Sequence, residues 1–224
     1  MKSIAQSQIK QALPTLAAVA LCSCQVRSPY YLASGFSPAE VNQVSVLQPV
    51  DLRDKAATKR SLNDLVVEKA KLFLGEKGYN SSSTGGSLSE SAVRSQLDKP
   101  TPAWIASLPT NERWPLLLVL KHSKSEVGLL SSEGNAEVDA ILFDKKKLIV
   151  AWREQGIAKA PEASALGGFG VTLITGVVDM ALVGKKEKDA VNYATQDAMS
   201  TLPRVPGTKP KLLINRMTMK EPPQ

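Results

Sequence analysis

The chain contains two cysteines, Cys22 and Cys24, separated by a single residue. A cysteine thiolate can pair with another thiol or bind a metal ion. Residues two apart do not easily meet the geometry of a disulfide. A zinc site would need further ligands, which the neighbouring sequence does not supply. Neither a disulfide nor a metal clip is therefore a good account of this pair.

The two cysteines close an apolar run at the start of the sequence. Lys2 and Lys10 give this segment a positive start, and no acidic residue precedes Cys24. The run from Ala12 to Cys22 is too short to span a bilayer, which needs about 20 apolar residues, but it suits the apolar region of a secretory signal. A short buried helix of a cytosolic domain is the alternative. The lysines before the run and the polar, proline-containing segment after it favour the signal.

The residues Leu21-Cys22-Ser23-Cys24 resemble the lipobox of bacterial lipoproteins, in which an aliphatic residue, a tolerant position and a small residue precede a cysteine. The resemblance implies that a diacylglycerol is attached to Cys24, that the signal is cut after Ser23, and that the new amine is acylated. Cys22 would leave with the signal. Gln25, rather than aspartate, follows the lipobox. In the Gram-negative sorting rule this implies the outer membrane, and in other bacteria a membrane-anchored protein outside the cytoplasm.

The sequence divides into four predicted segments. Residues 1–23 are a signal peptide, residues 24–42 a lipidated tether, residues 43–203 a single globular domain, and residues 204–224 a tail that contains proline and lysine. Loss of the signal lowers the formal charge from +7 to +5, because two lysines and no acid are removed. The remaining charge could favour anionic lipid head groups or an anionic wall polymer, or belong to a solvated surface. The lysines are not interleaved with aromatic residues, so nucleic acid is not an expected partner.

The single histidine, His122, is the obvious candidate for a general base. It lies on a predicted strand where an apolar run turns polar, and Ser123 and Ser125 are close to it in sequence. Neighbours on one strand alternate faces, however, and do not readily form a nucleophile–base pair. No G-x-S-x-G motif occurs in the chain. We therefore do not expect His122 to be catalytic.

Acidic residues on the predicted strands lack the paired spacing that acid–base chemistry needs; they are Asp139, Asp144 and Glu154. A position buried beside the sheet is one alternative for Asp139, and a salt bridge or a surface position is the one we favour. The chain has no His/Cys cluster for zinc and no EF-hand loop for calcium. Gly168 and Gly170 are not followed by the third glycine of a dinucleotide site. The sequence thus predicts no catalytic residue, no cofactor and no metal ion.

The globular part begins with a predicted strand and helix. Alternation from Gln43 to Gln48 predicts a strand. Apolar residues at helical spacing then predict an amphipathic helix that ends near Gly78. These apolar residues are Leu62, Leu65, Val66, Ala70, Phe73 and Leu74. We expect Leu65, Val66 and Phe73 to face the sheet.

A loop and a meander of strands are predicted for the middle of the chain. The Gly/Ser-rich segment Asn80–Ser91 is predicted as a loop, in which Ser87 or Ser89 caps a short helix. A helical turn is expected in "PTPAWIASLP". Three strands are expected in "RWPLLLVLKHSKSEV", "AEVDAILFD" and "KLIVAWREQGIAKA". The short polar loop Asp144–Lys147 between the last two indicates a β-hairpin.

The uncharged, glycine-containing segment Ala163–Val178 allows three interpretations. It is a buried helix from about Val171, a membrane-touching segment or strand, or a loop that leads into a short helix. Its length falls short of a membrane span, which favours the buried helix. A later helix with alanine at every fourth position from Ala190 to Ala198 is expected to end before Pro203. Leu212–Ile214 could add a short edge strand.

Four segments, "VSVLQPVDLRD", "LVVEKAKLFLGEKGY", "EVDAILFDKKKLIVAWREQG" and "AVNYATQDAMSTLP", give the order of elements from Gln43 to Pro203. They predict an α/β (α+β) domain in which a mostly antiparallel sheet of about four strands packs against helices. This order resembles small envelope lipoproteins of the curli-secretion and penicillin-binding-protein-activator types. Such proteins usually have a strand directly after Gly-Tyr, where this chain has "NSSSTGG".

The resemblance implies a lipid-anchored envelope protein that acts in binding or assembly and is not an enzyme. Its expected partners are the membrane, through acyl chains on Cys24, and envelope proteins or further copies of the chain. Two alternatives remain open. One is an oligomeric secretion or pore-associated subunit that would use the glycine-containing segment to contact membrane or neighbouring protomers. The other is a hydrolase whose site carries no recognised motif.

Overall fold

The structure, a computed structural model, describes residues 30–53, 61–127, 132–160 and 180–209. The predicted signal with Ser23 and Cys24, the segment Ala163–Val178 and the predicted edge strand Leu212–Ile214 lie outside these ranges. Their interpretations therefore stay predictions. In the part of the chain that is described, no helix combines the length and the apolar character needed to cross a membrane.

Short strands and helices form the first half of the described chain, and a meander of long strands followed by one helix forms the second half. The strands are β1 Tyr31–Leu32, β2 Gln43–Val46, β3 Val50–Asp51, β4 Asn80–Ser83, β5 Trp114–Val127, β6 Ser132–Asp144 and β7 Ile149–Ala160. The helices are α1 Asn63–Glu76, α2 Glu90–Gln96, α3 Pro102–Ala106 and α4 Met180–Ala198, and a single 3-10 turn covers Pro38–Glu40. The predicted first strand, first helix, meander and last helix are confirmed.

All seven strands belong to one mixed sheet, in the order β1-β7-β6-β5-β2-β4, with β3 paired to β5. The meander and β1 pair antiparallel, whereas β2 is parallel to β4 and β5, and β3 is parallel to β5. The predicted single α+β domain is confirmed, but the predicted sheet of about four mostly antiparallel strands is wrong. The additional strands have two to four residues, which is too short for side-chain alternation to reveal them.

Strand β4 lies within the segment that was predicted as a loop. Asn80–Ser83 pair in register with Gln43–Val46 of β2, and the N–H of Thr84 donates to the carbonyl of Val46 at 3.0 Å. Asparagine is depleted in strands, and serine lacks the β-branched or aromatic side chain that favours them. Here the backbone hydrogen bonds to β2 and the crossover through α1 set the conformation instead. The strand that the resemblance requires after Gly-Tyr is therefore present.

Helix α1 covers one face of the sheet along a narrow stripe. The sheet-facing residues, each at most 2% exposed, are Leu62, Val66, Ala70 and Leu74. The prediction that Val66 faces the sheet is confirmed, but Leu65 and Phe73 are only partly buried beside this core. The buried residues recur at every fourth position and form a narrow stripe. The apolar pattern read from the sequence is wider, because it also includes residues at the two sides of this stripe. The helix ends before Gly78, whose φ of +90° suits glycine.

Two apolar cores lie on opposite faces of the sheet. The first, under α1 and α4, includes Leu116, Leu118, Leu120, Leu142 and Trp152. The second, under α2 and α3, includes Leu97, Ile105, Leu117, Val119, Ile141 and Phe143. Strand β5 contributes to both, because successive side chains of a strand point to opposite faces. This explains why its apolar run is continuous and does not alternate.

Helix α4 lies so close to β7 that Gly156 has no room for a side chain. A Cβ added at Gly156 would lie 1.9 Å from the carbonyl oxygen of Ala194 and 2.3 Å from the nitrogen of Ala198. Ala190, Ala194 and Ala198 are themselves fully buried. The predicted small-residue face of this helix is therefore confirmed, and it brings the helix backbone against the strand.

The segments before β2 and after α4 also contact the sheet domain. Strand β1, which lies in the range predicted as a tether, pairs with β7, and the N–H of Ala33 donates to the carbonyl of Ala151 at 2.9 Å. After α4, the Tyr79 hydroxyl donates to the carbonyl of Pro203 at 2.5 Å. The chain thus returns across the end of α1 next to the start of β4.

Candidate functional site

The predicted modification site consists of Ser23 and Cys24. Ser23 and Cys24 lie outside the described residues, so lipidation of Cys24 and cleavage after Ser23 stay predictions. The structure does limit the distance between this site and the folded domain. Tyr30 is the first described residue and Tyr31 already belongs to the sheet. Only residues 25–29 separate the predicted lipid site from the described domain.

His122 is exposed on β5, directly after an irregularity in the pairing with β6. The hydroxyl of Ser123 points the other way, toward α4, and donates to Glu187 Oε1 at 2.5 Å. Strand alternation therefore separates the histidine from the neighbouring serine hydroxyl, as the sequence predicted. This geometry does not provide a nucleophile held by a base.

The three strand carboxylates are all buried, but each serves a different part of the fold. Glu154 accepts hydrogen bonds from the Thr201 N–H at 2.8 Å and the Thr201 hydroxyl at 2.7 Å, which fixes the turn after α4. Asp139 is paired with Arg153 at 2.8 Å and with Lys121 at 3.2 Å. The expected salt bridge of Asp139 is confirmed. Because these carboxylates have separate partners, they do not form an acid–base pair.

Asp144 fixes the hairpin between β6 and β7. Arg113 donates to its two oxygens at 3.0 and 2.8 Å, and the N–H groups of Lys146 and Lys147 donate to it at 2.9 and 3.3 Å. Burial opposes ionisation of this carboxyl, but the hydrogen bonds from Arg113 and from the two N–H groups outweigh it and hold the pKa of Asp144 below its ordinary value. The predicted hairpin is confirmed, and its lysines surround a structural turn.

The sequence did not reveal a buried ion cluster centred on Arg53. Its guanidinium, only 4% exposed, donates to both oxygens of Asp51 at 2.9 and 2.6 Å. It also donates to Ser123 at 2.8 Å and to Glu187 at 2.9 Å. Asp51 is two residues from Arg53, but Ser123 and Glu187 lie on distant segments, so local spacing could not have indicated the cluster. The cluster joins the end of β3 to β5 and α4, which is a structural role.

Two open grooves flank the edge strand β4 and share Ser83 and Thr84 in their linings. The first, of about 550 Å³, lies between β4 and the start of α1. Its floor is apolar and its rim is charged; the apolar residues are Val46, Leu47, Pro49 and Val67, and the charged residues are Asp64, Glu68 and Lys71. Such a groove fits a segment that has both apolar and polar side chains.

The second groove, also about 550 Å³, lies on the opposite face of β4 and is lined mainly by polar groups. Its hydroxyls are those of Ser45, Ser82, Ser83, Thr84 and Thr110. Lys145 closes one end and donates to the carbonyls of Leu108 and Thr110 at 3.0 and 2.6 Å. Two of these hydroxyls already donate within the fold, since Thr110 donates to the Ser45 hydroxyl at 3.0 Å and Thr84 donates to the carbonyl of Pro109 at 3.1 Å. A hydroxyl both donates and accepts, so the surface retains hydrogen-bonding capacity for a polar segment.

Strand β4 itself is an edge, since among the described residues it pairs with β2 alone. The backbone groups on its outer side are available to another extended segment, and the grooves on its two faces would receive alternate side chains of that segment. The arrangement is suited to binding an extended segment. In the same described part of the chain, no three His, Cys, Asp or Glu side chains come together in a way that could hold a metal ion.

Comparison by sequence identifies no relative. No protein-family model matches the chain, and no curated protein sequence matches it.

Comparison of folds finds solved bacterial structures at low identity. A PelC dodecamer from Paraburkholderia phytofirmans is 16% identical, with a TM-score of 0.38 over 59% of this chain and 82% of that chain. The lipoprotein GNA1162 from Neisseria meningitidis is 14% identical, with a TM-score of 0.37 over 67% and 96%. Protein XCC0632 from Xanthomonas campestris is 11% identical, with a TM-score of 0.43 over 77% and 90%. The resemblance to the curli-secretion and penicillin-binding-protein-activator types stays a prediction.

Proposed function

We propose that this chain is a lipid-anchored protein of the bacterial cell envelope that acts as a non-catalytic binding or assembly factor. The observation that carries the proposal is the sequence Leu21-Cys22-Ser23-Cys24 directly after a charged and apolar leader. Cys24 is the residue that would receive the acyl chains. Gln25 after it points to the outer membrane, with the domain facing the periplasm. The order of elements in the sequence, which resembles the curli-secretion and penicillin-binding-protein-activator types, supports a role in binding or assembly.

The edge strand β4 and its two grooves are the proposed binding surface. An added strand would gain backbone hydrogen bonds from β4, and its side chains would alternate between the apolar groove beside α1 and the hydroxyl-lined groove. The occupant is an extended segment of an envelope protein. Main-chain pairing would supply affinity, while the different linings of the grooves would select the sequence of the segment.

Lipid anchoring is tested by changing each cysteine separately. Cys24→Ala should abolish incorporation of labelled palmitate and leave the precursor unprocessed, whereas Cys22→Ala should change neither. Each buried methylene contributes about 0.8 kcal/mol, and two or three chains together make release slow. The unaltered protein should therefore sediment with membranes and resist extraction by salt. Loss of labelling in Cys22→Ala but not in Cys24→Ala would contradict the assignment.

Binding at β4 is tested by site-specific crosslinking in intact cells. A photoreactive amino acid at Ser83, an exposed residue shared by both grooves, should capture a defined envelope protein. The same amino acid at Leu72, which is 45% exposed on α1 and lies outside both groove linings, is the matched control. Capture of the same protein at both positions would show that β4 is not the binding surface. Capture of a second copy of the chain at Ser83 would assign the edge to self-association.

A further inference from the structure

The first described residues form an exposed apolar edge. Tyr30, Tyr31 and Leu32 are 55%, 50% and 40% exposed, and they are consecutive. The other large hydrophobic residues exposed to a similar degree on the described surface, Leu72, Ile157 and Tyr193, lie on three different elements. Single exposed hydrophobic residues are normal on a soluble surface. Tyr31 and Leu32 are neighbours on a strand and point to opposite faces, so apolar surface is exposed on both sides of this edge. Three such residues in succession indicate a contact that surrounds the edge. Tyr30, Tyr31 and Leu32, together with Lys147 and Ile149, form the β1 edge patch.

Ile149 and a lysine extend the patch along β7. The antiparallel pairing of β1 with β7 continues through Ala33, and the following turn brings Ser34 and Gly35 beside Lys147 and Ile149, with which they line one small cleft. Ile149 is 38% exposed and Lys147 is also exposed. The patch therefore combines two tyrosines, two aliphatic side chains and an exposed ammonium group at one edge of the sheet.

This composition fits the polar interface of a lipid bilayer. Tyrosine has an apolar ring and a hydroxyl that stays hydrated, and it is enriched where membranes meet water. Lysine can bury its methylene stem while its charge remains among the head groups. A protein partner would be expected to cover such a patch with complementary apolar area, whereas head groups accept ring, hydroxyl and ammonium together.

The position of the patch along the chain indicates what covers it. Residues 25–29 connect Cys24 to Tyr30, and six extended steps of chain reach at most about 20 Å. A domain held by acyl chains on Cys24 must therefore keep the surface around Tyr30 close to the head groups. On this basis, which rests on the proposed function, we propose that the β1 edge patch lies in the head-group layer of the membrane that holds the anchor.

In this orientation the opposite edge of the sheet points away from the membrane. The order of strands places β1 and β4 at the two ends of the sheet. Contact of the β1 edge patch with the membrane therefore leaves the outer side of β4 free for an extended partner. The membrane contact sets orientation, while the acyl chains supply the affinity for the membrane.

The experiment uses the full chain, expressed with its own signal, purified from bacterial membranes and reconstituted into phosphatidylcholine vesicles. Tyr31→Cys provides a single thiol for the fluorophore NBD. Leu72→Cys and Tyr193→Cys, at positions of similar exposure on α1 and α4, are the matched controls. Vesicles with and without lipids that carry a nitroxide near the head group are compared. Tyr30→Cys is a second reporter in case Tyr31→Cys reduces folding, which is checked by thermal unfolding.

We expect strong quenching of NBD and a blue-shifted emission at residue 31 or 30. At residues 72 and 193 we expect no quenching. Equal quenching at all positions, or none at residues 30 and 31, would overturn the proposal. A blue shift without quenching by nitroxide lipid would assign the patch to a protein contact and would also overturn the proposal.

The parent protein, without an added cysteine, separates this inference from the proposed function. If NBD labels the parent, the thiol of Cys24 is free, Cys24 is not lipidated and the proposed function fails. If NBD does not label the parent, the quenching result tests the inference alone.

Discussion

At the scale of single residues, buried charges hold distant segments of the chain together. Arg53 connects β3 to β5 and α4, and Glu154 holds the turn after α4. Asp144 and Arg113 form the same kind of contact at the start of β5 and the end of β6. Each group is surrounded by hydrogen-bond partners, so removal of one partner leaves a buried charge without compensation. Their roles are therefore visible in stability rather than in activity.

Asp144→Asn should lower the free energy of unfolding by about 2 kcal/mol at pH 7, because hydrogen bonds to a charged carboxylate are lost. The folded-state pKa of Asp144 is lower than the unfolded-state value of 3.8. Its contribution is therefore present above about pH 4 and is lost as the pH falls through the folded-state pKa. Urea unfolding of both proteins at pH 7 and pH 3 checks this.

The matched control is Glu68→Gln at an exposed position of α1. Its effect should stay within about 0.5 kcal/mol at both pH values. A difference between Asp144→Asn and the unaltered protein that is as large at pH 3 as at pH 7 would show that the carboxylate charge is not the cause.

At the scale of elements, the packing faces of α1 and α4 determine which substitutions the fold tolerates. Leu74→Ala should cost about 2–5 kcal/mol, since Leu74 is fully buried. Phe73→Ala should cost clearly less, because Phe73 lies at the border of the same core. Thermal and urea unfolding of the two variants give the comparison. A larger loss in Phe73→Ala would mean that the helix is rotated relative to the sheet.

Gly156→Ala should destabilise the protein by about 1–3 kcal/mol, because the added methyl group meets the backbone of α4. Gly75→Ala is the matched control, since a Cβ at Gly75 meets nothing within 4 Å. Alanine there should stabilise α1 by up to about 1 kcal/mol. Equal effects of the two substitutions in urea unfolding would show that α4 does not approach β7 as closely as described.

Elements were predictable where their packing leaves a periodic pattern. Helix α4 was identified from its alanines, which bury one side of the helix against the core. The meander was identified from its long apolar or alternating runs, since its strands bury side chains on both faces of the sheet. Strand β4 was missed, because its serines are not selected by burial and the strand exists only through its pairing with β2. The Arg53 cluster and the β4 grooves were missed because they combine residues that are far apart in sequence.

At the scale of the whole molecule, the folded domain includes residues before β2. Phe36 packs edge-on to Trp114 with ring centroids 6.0 Å apart, and Glu40 pairs with Arg113. A chain shortened to begin at Val41 loses these contacts and β1. It should be less stable than a chain that begins at Gln25, by about 2 kcal/mol or more, as expected for an aromatic pair and lost hydrogen bonds.

Urea unfolding and sizing without detergent measure this difference. The longer chain should be a monodisperse monomer or small oligomer, whereas the shorter chain exposes the edge of β7 and should associate. If both chains have the same midpoint of unfolding and the same size, residues 25–40 do not contribute to the domain. If both dissolve only in detergent, the membrane-touching interpretation of Ala163–Val178 gains support.

The sheet order has a consequence for the way the chain folds. Strands β1 and β2 are made early, but β7, the partner of β1, is made much later, and β2 has only the four-residue β4 as a partner before β5. During synthesis or export β1 therefore has no partner and β2 has only β4, so the meander of β5, β6 and β7, whose contacts are local, is the natural nucleus. We expect the amide hydrogens of the meander to become protected from exchange first in pulse-labelled refolding. Until β7 has formed, the hydrophobic residues of β1 remain accessible to chaperones.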